Sequence, residues 1–427
     1  MATLGEIARM TGRLFGGADS RPRILLLNDT RDQNNWGSVA LTEALLAILR
    51  EACPTMSLHS IPSISLWSSK ARDGSVTMVL PELADDYEET ARVWQAGRGG
   101  REAERFIKQA LWADLVIYNG EGSIYRRNHS AVKALFMSWY ARKILGKPCA
   151  YLNGGLHLTH VEPFLPPMAR RTLQALDAVT IRESWSLQCA REFAPGVEVE
   201  LLPDSVFYYA SAPAAAPAYQ DSHPGLTPGT YFCVAGGQMP HSLSRGQDAP
   251  LCRLIRALQR KGLQAVILAR EDEDQYLARV AELCGCPFYG RELALGEVLG
   301  ILRSAALQLT GRYHHFIFGS LWGVPSIGFA AMSHKVQGLA EWFDSLLKPV
   351  RNSTMLGMEW EETMAQAEYY LAGGPTFRQQ IAHRARELGE LTRRYGTIAR
   401  SLATEGSSAT ARTLSGSDQR STGTPTD

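Results

Sequence analysis

The stretch Ala305–Phe343, AALQLTGRYHHFIFGSLWGVPSIGFAAMSHKVQGLAEWF, limits what this chain can fold into more than any other. Ala305–Leu309 reads as a short buried strand that Gly311 breaks. Phe316, Ile317, Gly319, Ser320 and Leu321 follow at helical spacing, Val324–Phe329 is a second apolar strand, and Lys335 opens the next helix. This is a β-α-β-α unit, and in open α/β sheets ligands bind at the carboxyl ends of the strands beside helix N-termini. Arg312, His314, His315 and Lys335 all fall at such an edge. An Arg fork and a Lys point charge suit an anion carrying carboxylate and phosphate, and a His at a helix start is a candidate proton carrier. The spacing turns His314 to the cleft and His315, about 100° further round the helix, into packing. The competing reading makes Arg312 a loop cap, the histidines core filler and Lys335 a solvated residue. Their recurrence at consecutive strand ends favours a site.

The rest of the chain repeats the alternation. Arg23–Asn28 is a buried strand, the loop Asp29–Gly37 carries Asn35 and Gly37, and Leu41, Leu45, Ile48 and Leu49 mark a helix face. This cradle is not a P-loop, since no GxxxxGK[ST] is present. Strands are expected at Ser57–Ile61 and Val76–Leu80, and charged Asp85–Arg105 reads as a surface helix interrupted at its glycines, with an acceptor-binding lid as the alternative. Asp114–Asn119 is a strand followed by a small-residue turn, Gly120-Glu121-Gly122-Ser123, where a ligand can approach the backbone. Glu121 there is a candidate base or hydroxyl-orienting acid. Arg182 ends the strand Ala178–Ile181 beside a helix N-terminus, where it is either a ligand for an anion or a structural pair for a carboxylate, and Pro203-Asp204 follows the next strand. Ser211–Gly229, rich in Pro, Ala and Gly, is the linker to a second alternating set that begins at Thr230. The resulting division is an N-terminal segment 1–20, α/β domains 21–210 and 230–350 joined by 211–229, C-terminal helices 351–403 and a disordered tail 404–427.

Composition narrows the function. Lys+Arg 44 against Asp+Glu 43 leaves net +1, so no global charge favours nucleic acid. Seven scattered cysteines fit reduced thiols, Cys284-Gly285-Cys286 lacks a partner pair at zinc spacing, and Asp272-Glu273-Asp274 reads as a helix start, so no metal site is expected. Met1–Gly17 lacks a signal-peptide core and no stretch approaches a membrane span, which points to a cytoplasmic protein. The amphipathic N-terminus reads as a packed or frayed end and the arginine-rich face of the terminal helix Phe377–Leu402 as solvated, with peripheral contact with a membrane as the alternative for each.

Two runs carry a resemblance to the polysaccharide pyruvyl transferase family. One is Arg312-Tyr313-His314, the apolar helix, Gly323-Val324-Pro325 and Lys335. The other is Val179-Thr180-Ile181-Arg182-Glu183-Ser184 followed by Leu201-Leu202-Pro203-Asp204. The opening loop is similar at Asn35 and Gly37 but has Ser38 where the family has Asp, and Glu121 replaces a Gly in the glycine-rich turn. The resemblance implies two Rossmann-like domains facing a cleft, of the GT-B type. It implies transfer of pyruvate from phosphoenolpyruvate onto a saccharide as a ketal, with no cofactor, and it assigns Arg182 and His314 to the site. In that chemistry Arg182, Arg312 and Lys335 are the expected anion ligands, His314 the general acid, and Glu121 or Asp204 the base for an acceptor hydroxyl, whether or not the acceptor is lipid-linked. Asn35, Gly37, Gly120, Gly122 and Ser123 are expected to line the substrates. A nucleotide-sugar glycosyltransferase of the same fold and a non-catalytic saccharide-binding protein are the alternatives.

Overall fold

The computed structural model describes residues 21–418, apart from 72–73, 126–127, 219–224, 238–248, 271–273, 331–333, 345, 349 and 353–355. The two alternating sets build two six-stranded sheets in which every paired strand is parallel. The first contains β1 (Arg23–Asp29), β2 (Ser57–Pro62), β3 (Leu115–Ile124), β4 (Cys149–Leu156), β5 (Ala178–Ile181) and β6 (Glu200–Leu201), in the order β2-β1-β3-β4-β5-β6. The second contains β7 (Tyr231–Ala235), β8 (Gln264–Leu268), β9 (Phe288–Tyr289), β10 (Leu307–Thr310), β11 (Ser326–Ala330) and β12 (Arg351–Asn352), in the order β12-β11-β10-β7-β8-β9. Both orders reverse beside the first strand of their set, which opens a crevice at its carboxyl end. Apolar runs such as Leu25–Leu27 and Phe232–Val234 are wholly buried because helices cover both faces of each sheet.

Helices in the first domain are α1 (Trp36–Ala52), α2 (Tyr87–Gln95), α3 (Arg101–Trp112), α4 (His129–Lys143), α5 (Leu165–Leu173), α6 (Ser184–Phe193) and the short α7 (Tyr208–Ser211). The second domain has α8 (Pro250–Arg260), α9 (Tyr276–Cys284), α10 (Leu295–Ser304), α11 (Tyr313–Ser320), α12 (Lys335–Glu341) and α13 (Trp360–Ala372). A last helix, α14 (Gly374–Asp418), belongs to both domains. Its first turns hold the second domain, where Arg378 donates to the carbonyls of Ala305 and Arg303. Further along, Arg393 pairs with Glu51 and the Tyr395 hydroxyl donates to the Pro203 carbonyl at 2.9 Å. One continuous apolar cluster follows this helix, joining Leu45 and Phe207 to Val234, Phe316 and Phe343.

Several expectations need correction. No strand forms at Val76–Leu80; Val76 makes one antiparallel bridge to Lys70. The small-residue segment after Asn119 is not a turn but a continuation of β3, which lies against the end of β4: a Cβ on Gly120 would fall 2.5 Å from the Gly154 Cα. The interruption of Asp85–Arg105 falls between α2 and α3, at Gly97 and Gly100 with φ of 72° and 93°, but Tyr87, Trp94 and Phe106 there are core residues rather than a solvated face. Helix α14 runs to Asp418 where a disordered tail was expected from Thr404, because Ala403 is buried and Gly406 packs on the Asp114 carbonyl. The N-terminal segment 1–20 and residues 419–427 lie outside the described residues, as do parts of the linker and Asp272 and Glu273.

Close approach of α14 to α1 depends on Gly396, where a Cβ would sit 2.7 Å from the Ala52 Cβ and 3.1 Å from the Ile48 carbonyl oxygen. Replacement by Leu overpacks this contact, and Gly396→Leu should lower stability by about 1–3 kcal/mol in urea unfolding. A variant as stable as the parent would show that α14 is not packed as described.

Candidate active site in the cleft between the domains

The carboxyl ends of β3, β4 and β5 face those of β10 and β11 across a cleft, and the charged residues singled out in the sequence gather there. The centre is Arg182, the residue after β5, which is 1% exposed. Its backbone N–H bonds the Gly154 carbonyl, and its carbonyl accepts from the indole N–H of Trp342 in the second domain at 3.0 Å. The guanidinium lies over the Tyr313 ring at 4.4 Å, and its Nη1 donates to Asp204 Oδ2 at 2.8 Å. Its Nε has no hydrogen-bond partner among the described residues. Burial works against the charge of Arg182, but Tyr313, Asp204, Glu121 and Glu183 together more than offset it, so it stays cationic.

Asp204 is fully buried. Burial alone would raise its pKa, yet His314, Arg182 and the Val206 N–H hold the carboxyl below its ordinary range. His314 Nε2 stands 3.5 Å from Asp204 Oδ2, the same oxygen that accepts from Arg182. That distance is long for a hydrogen bond and leaves Nε2 without a close partner among the described residues. The other edge of the ring meets α1. A Cβ on Gly37 would lie 2.2 Å from His314 Nδ1, so only glycine admits the ring there. Asn35 caps α1 by accepting from the N–H groups of Gly37 and Ser38. The opening loop of the first domain thus forms a wall for a histidine of the second.

Lys335, at the start of α12, reaches the opposite wall. Its Nζ lies 2.3 Å from where a Cβ on Gly122 would be, and Arg182 Nη2 lies 3.7 Å from the same point. Burial and the Arg182 charge lower its pKa, while Glu121 and Glu183 act in the other direction. Glu121 projects from a strained backbone, φ 42°, between the two glycines. Two cations, a histidine and an acid thus converge with three buried polar atoms that have no hydrogen-bond partner among the described residues: Arg182 Nε, His314 Nε2 and the Tyr313 hydroxyl. Buried polar groups without partners mark a place prepared for a ligand.

Four sequence-based candidates are elsewhere engaged. Arg312 forms a two-point ion pair with Asp274, Nε to Oδ2 and Nη2 to Oδ1 both at 2.9 Å, and Asp274 also accepts from the Gly237 N–H. Nε and Nη2 of its fork therefore brace the crevice of the second sheet. Asp204, expected as a base, has its oxygens committed to Arg182, His314 and Val206, so it orients its neighbours. Ser123 is held by Tyr118 and the Gly120 carbonyl, and Gly120 serves strand packing. Three contributors escaped the sequence reading. Tyr313 was a spacer between Arg312 and His314; Glu183 caps α6 through Ser186 and Trp185; and Tyr395 lies more than 190 residues from the carbonyl it binds. Arginine followed by an acid at a helix start is the signal that points to Glu183.

The two histidines have opposite surroundings. The His315 ring packs against Trp36 and Phe318, at centroid distances of 5.7 Å in both cases. Burial first, then Arg312 and His314, push its pKa down to about 3. A lowered folded-state pKa means that the unfolded chain binds the proton more tightly, so stability present above the ordinary value near 6.5 is lost as pH falls towards 3. His315 accounts for about 2 kcal/mol of that loss between pH 7.5 and 5. In urea unfolding at the two pH values, His315→Phe should show a correspondingly smaller difference than the parent; an equal difference would mean that His315 is not buried neutral.

Comparison with known proteins completes the description. Solved structures share the architecture at low identity. A UDP-N-acetylglucosamine 2-epimerase from Rickettsia bellii aligns over 90% of this chain and 98% of its own, at 12% identity and a TM-score of 0.54. A Listeria monocytogenes protein described as a UDP-N-acetylglucosamine 2-epimerase aligns over 86% and 94%, at 13% identity and a TM-score of 0.52. Such neighbours establish the GT-B fold and nothing about substrate. No curated relative matches the sequence. Residues 35–333, from the cap of α1 to the threshold of α12, match the model of the polysaccharide pyruvyl transferase family, and with most of its length inside that match the chain belongs to this family of transferases.

Proposed function

We propose that the protein transfers pyruvate from phosphoenolpyruvate to a saccharide, forming a cyclic ketal in the biosynthesis of a surface or extracellular polysaccharide. The observation that carries this reading is the buried, charged Arg182 with a free Nε, set beside Lys335 and His314 in the cleft. A phosphorylated carboxylic acid offers the oxygens these groups lack. Arg182 and Lys335 hold the donor anion. His314 delivers a proton through Nε2 to the methylene carbon of the enol, which becomes a methyl group as the adjacent carbon turns electrophilic. One acceptor hydroxyl adds to that carbon and a second displaces phosphate to close the ketal. Each hydroxyl loses a proton, and Glu121, whose charge acts on both Arg182 and Lys335, is the acid assigned to take it. Asp204 keeps Arg182 and His314 in register. Among the described residues no helix is long and apolar enough to cross a membrane.

Incubating the purified protein with labelled phosphoenolpyruvate and a panel of saccharide acceptors tests the reading; label should appear in a saccharide ketal with release of phosphate. His314→Gln should lower turnover by roughly 10²–10⁴-fold with little change in melting temperature. Arg182→Lys keeps the charge but loses the planar fork, and should weaken donor binding, read as the dissociation constant for phosphoenolpyruvate. Transfer from a nucleotide sugar instead of phosphoenolpyruvate would replace this reading with glycosyl transfer. The reaction as written needs no cofactor, so turnover should persist with a chelator; loss of activity restored by one divalent ion would overturn that part.

A further inference from the structure

The rim of the anion pocket carries an aromatic group that the chemistry above does not use. Trp185, in the first turn of α6 and three residues after Arg182, is 39% exposed. A lone exposed indole needs no explanation, but this one is held in place from several sides. Its backbone N–H donates to the Glu183 carboxylate at 2.8 Å. Its Cδ1 lies 3.0 Å from where a Cβ on Gly338 of α12 would be, so that glycine makes room for it. One face is stacked on His334 of the second domain, with centroids 4.5 Å apart and planes 19° from parallel. His334 directly precedes Lys335, whose ammonium is in the anion pocket. A second imidazole, His157, sits 6.0 Å from His334 just beyond β4, two residues after Gly155, which abuts Arg182. The pocket for two cations is therefore bordered by one clamped, part-exposed indole and two imidazoles, drawn from both domains.

This border is suited to a neutral, polyhydroxylated ring. A pyranose has an apolar face of C–H groups that packs on an indole, and hydroxyls at its edge that imidazole nitrogens can bond in either sense. It is poorly suited to a second anion: the adjoining acids are Glu183 and Glu341, the latter bonded to Ser184, and burial, His334 and Lys335 all lower the pKa of His157 and keep it neutral. We propose that Trp185, with His157 and His334, forms the acceptor subsite, in which a sugar ring lies on the open part of the indole with its reacting hydroxyls directed towards the pocket of Arg182, His314 and Lys335. The proposal rests on the reading of the protein as a pyruvyl transferase for its direction of transfer, but the saccharide contact is tested without turnover.

The experiment is saturation-transfer NMR on the full chain with methyl glycosides of galactose, mannose, glucose and N-acetylmannosamine as probes, beside a separate titration with phosphoenolpyruvate. For at least one glycoside, transfer should be strongest to the C–H protons of one ring face. Trp185→Ala should weaken that binding about tenfold and Trp185→Phe should recover most of it. Both variants should melt near the parent temperature and bind phosphoenolpyruvate within about twofold of it. His157→Gln, which leaves the indole in place, should alter which glycoside is preferred. Absence of transfer to all four probes, or undiminished transfer in Trp185→Ala, overturns the subsite. Glycoside binding that depends on Trp185 in a protein that does not bind phosphoenolpyruvate supports the subsite and sinks the donor assignment, so the two readings fail separately.

Discussion

The buried pair of Arg182 and Asp204 is the interaction on which the site depends. Both side chains are essentially removed from solvent, 1% and 0% exposed. Taking such charges out of water is expensive unless geometry and further hydrogen bonds offset it, and deleting one partner leaves the other uncompensated. Here the surroundings are arranged around the pair: the Tyr313 ring under the guanidinium, the Val206 N–H on the carboxylate, and the Tyr395 hydroxyl on the preceding carbonyl. A hydrophobic replacement of the pair would serve packing equally well. The pair leaves one guanidinium nitrogen, Nε, without a partner among the described residues, so it is not a fully satisfied salt bridge.

The other participants are assembled by the meeting of two sheets. β5 delivers Arg182 and β3 delivers Glu121 from one domain, while the helices after β10 and β11 deliver His314 and Lys335 from the other. The contact is so close that glycines at 37 and 122 are needed where the His314 ring and the Lys335 ammonium cross the boundary. Neither domain alone holds His314 and both cations. The candidate site therefore exists only where the two domains meet, and the interdomain bonds from Trp342 to Arg182 and from Trp36 to the Leu293 carbonyl help to hold it together.

Much of this was legible in the sequence because it follows from periodicity. The strands of both sheets other than β12, the helices between them and the position of Arg182 and His314 at strand ends come from apolar runs and the residues that end them; His314 and His315 differ in what surrounds them and not in burial, at 8% and 7% exposed. What escaped was long-range. Nothing local distinguishes Arg312, bound by Asp274 some forty residues earlier, from Arg182, and the tighter engagement of Arg312 emerges only once β8 and β10 are in place. Gly120 to Ser123 looked like a turn because small residues favour one; adjacent glycines in β4 let two strands continue past one another instead. The tail from Thr404 looked irregular by composition, but a helix already anchored along Tyr395 to Ala403 carries its weak final turns with it.

Helix α14 has one more consequence. It is a single uninterrupted rod fastened to the second domain through Arg378 and Arg384 and to the first through Arg393, Arg394 and Tyr395. A hydrogen-bonded helix hardly stretches along its axis, whereas it bends gently across it. It acts as a tie-rod: it fixes how far apart the two halves stand at the back of the molecule and leaves them free only to rock.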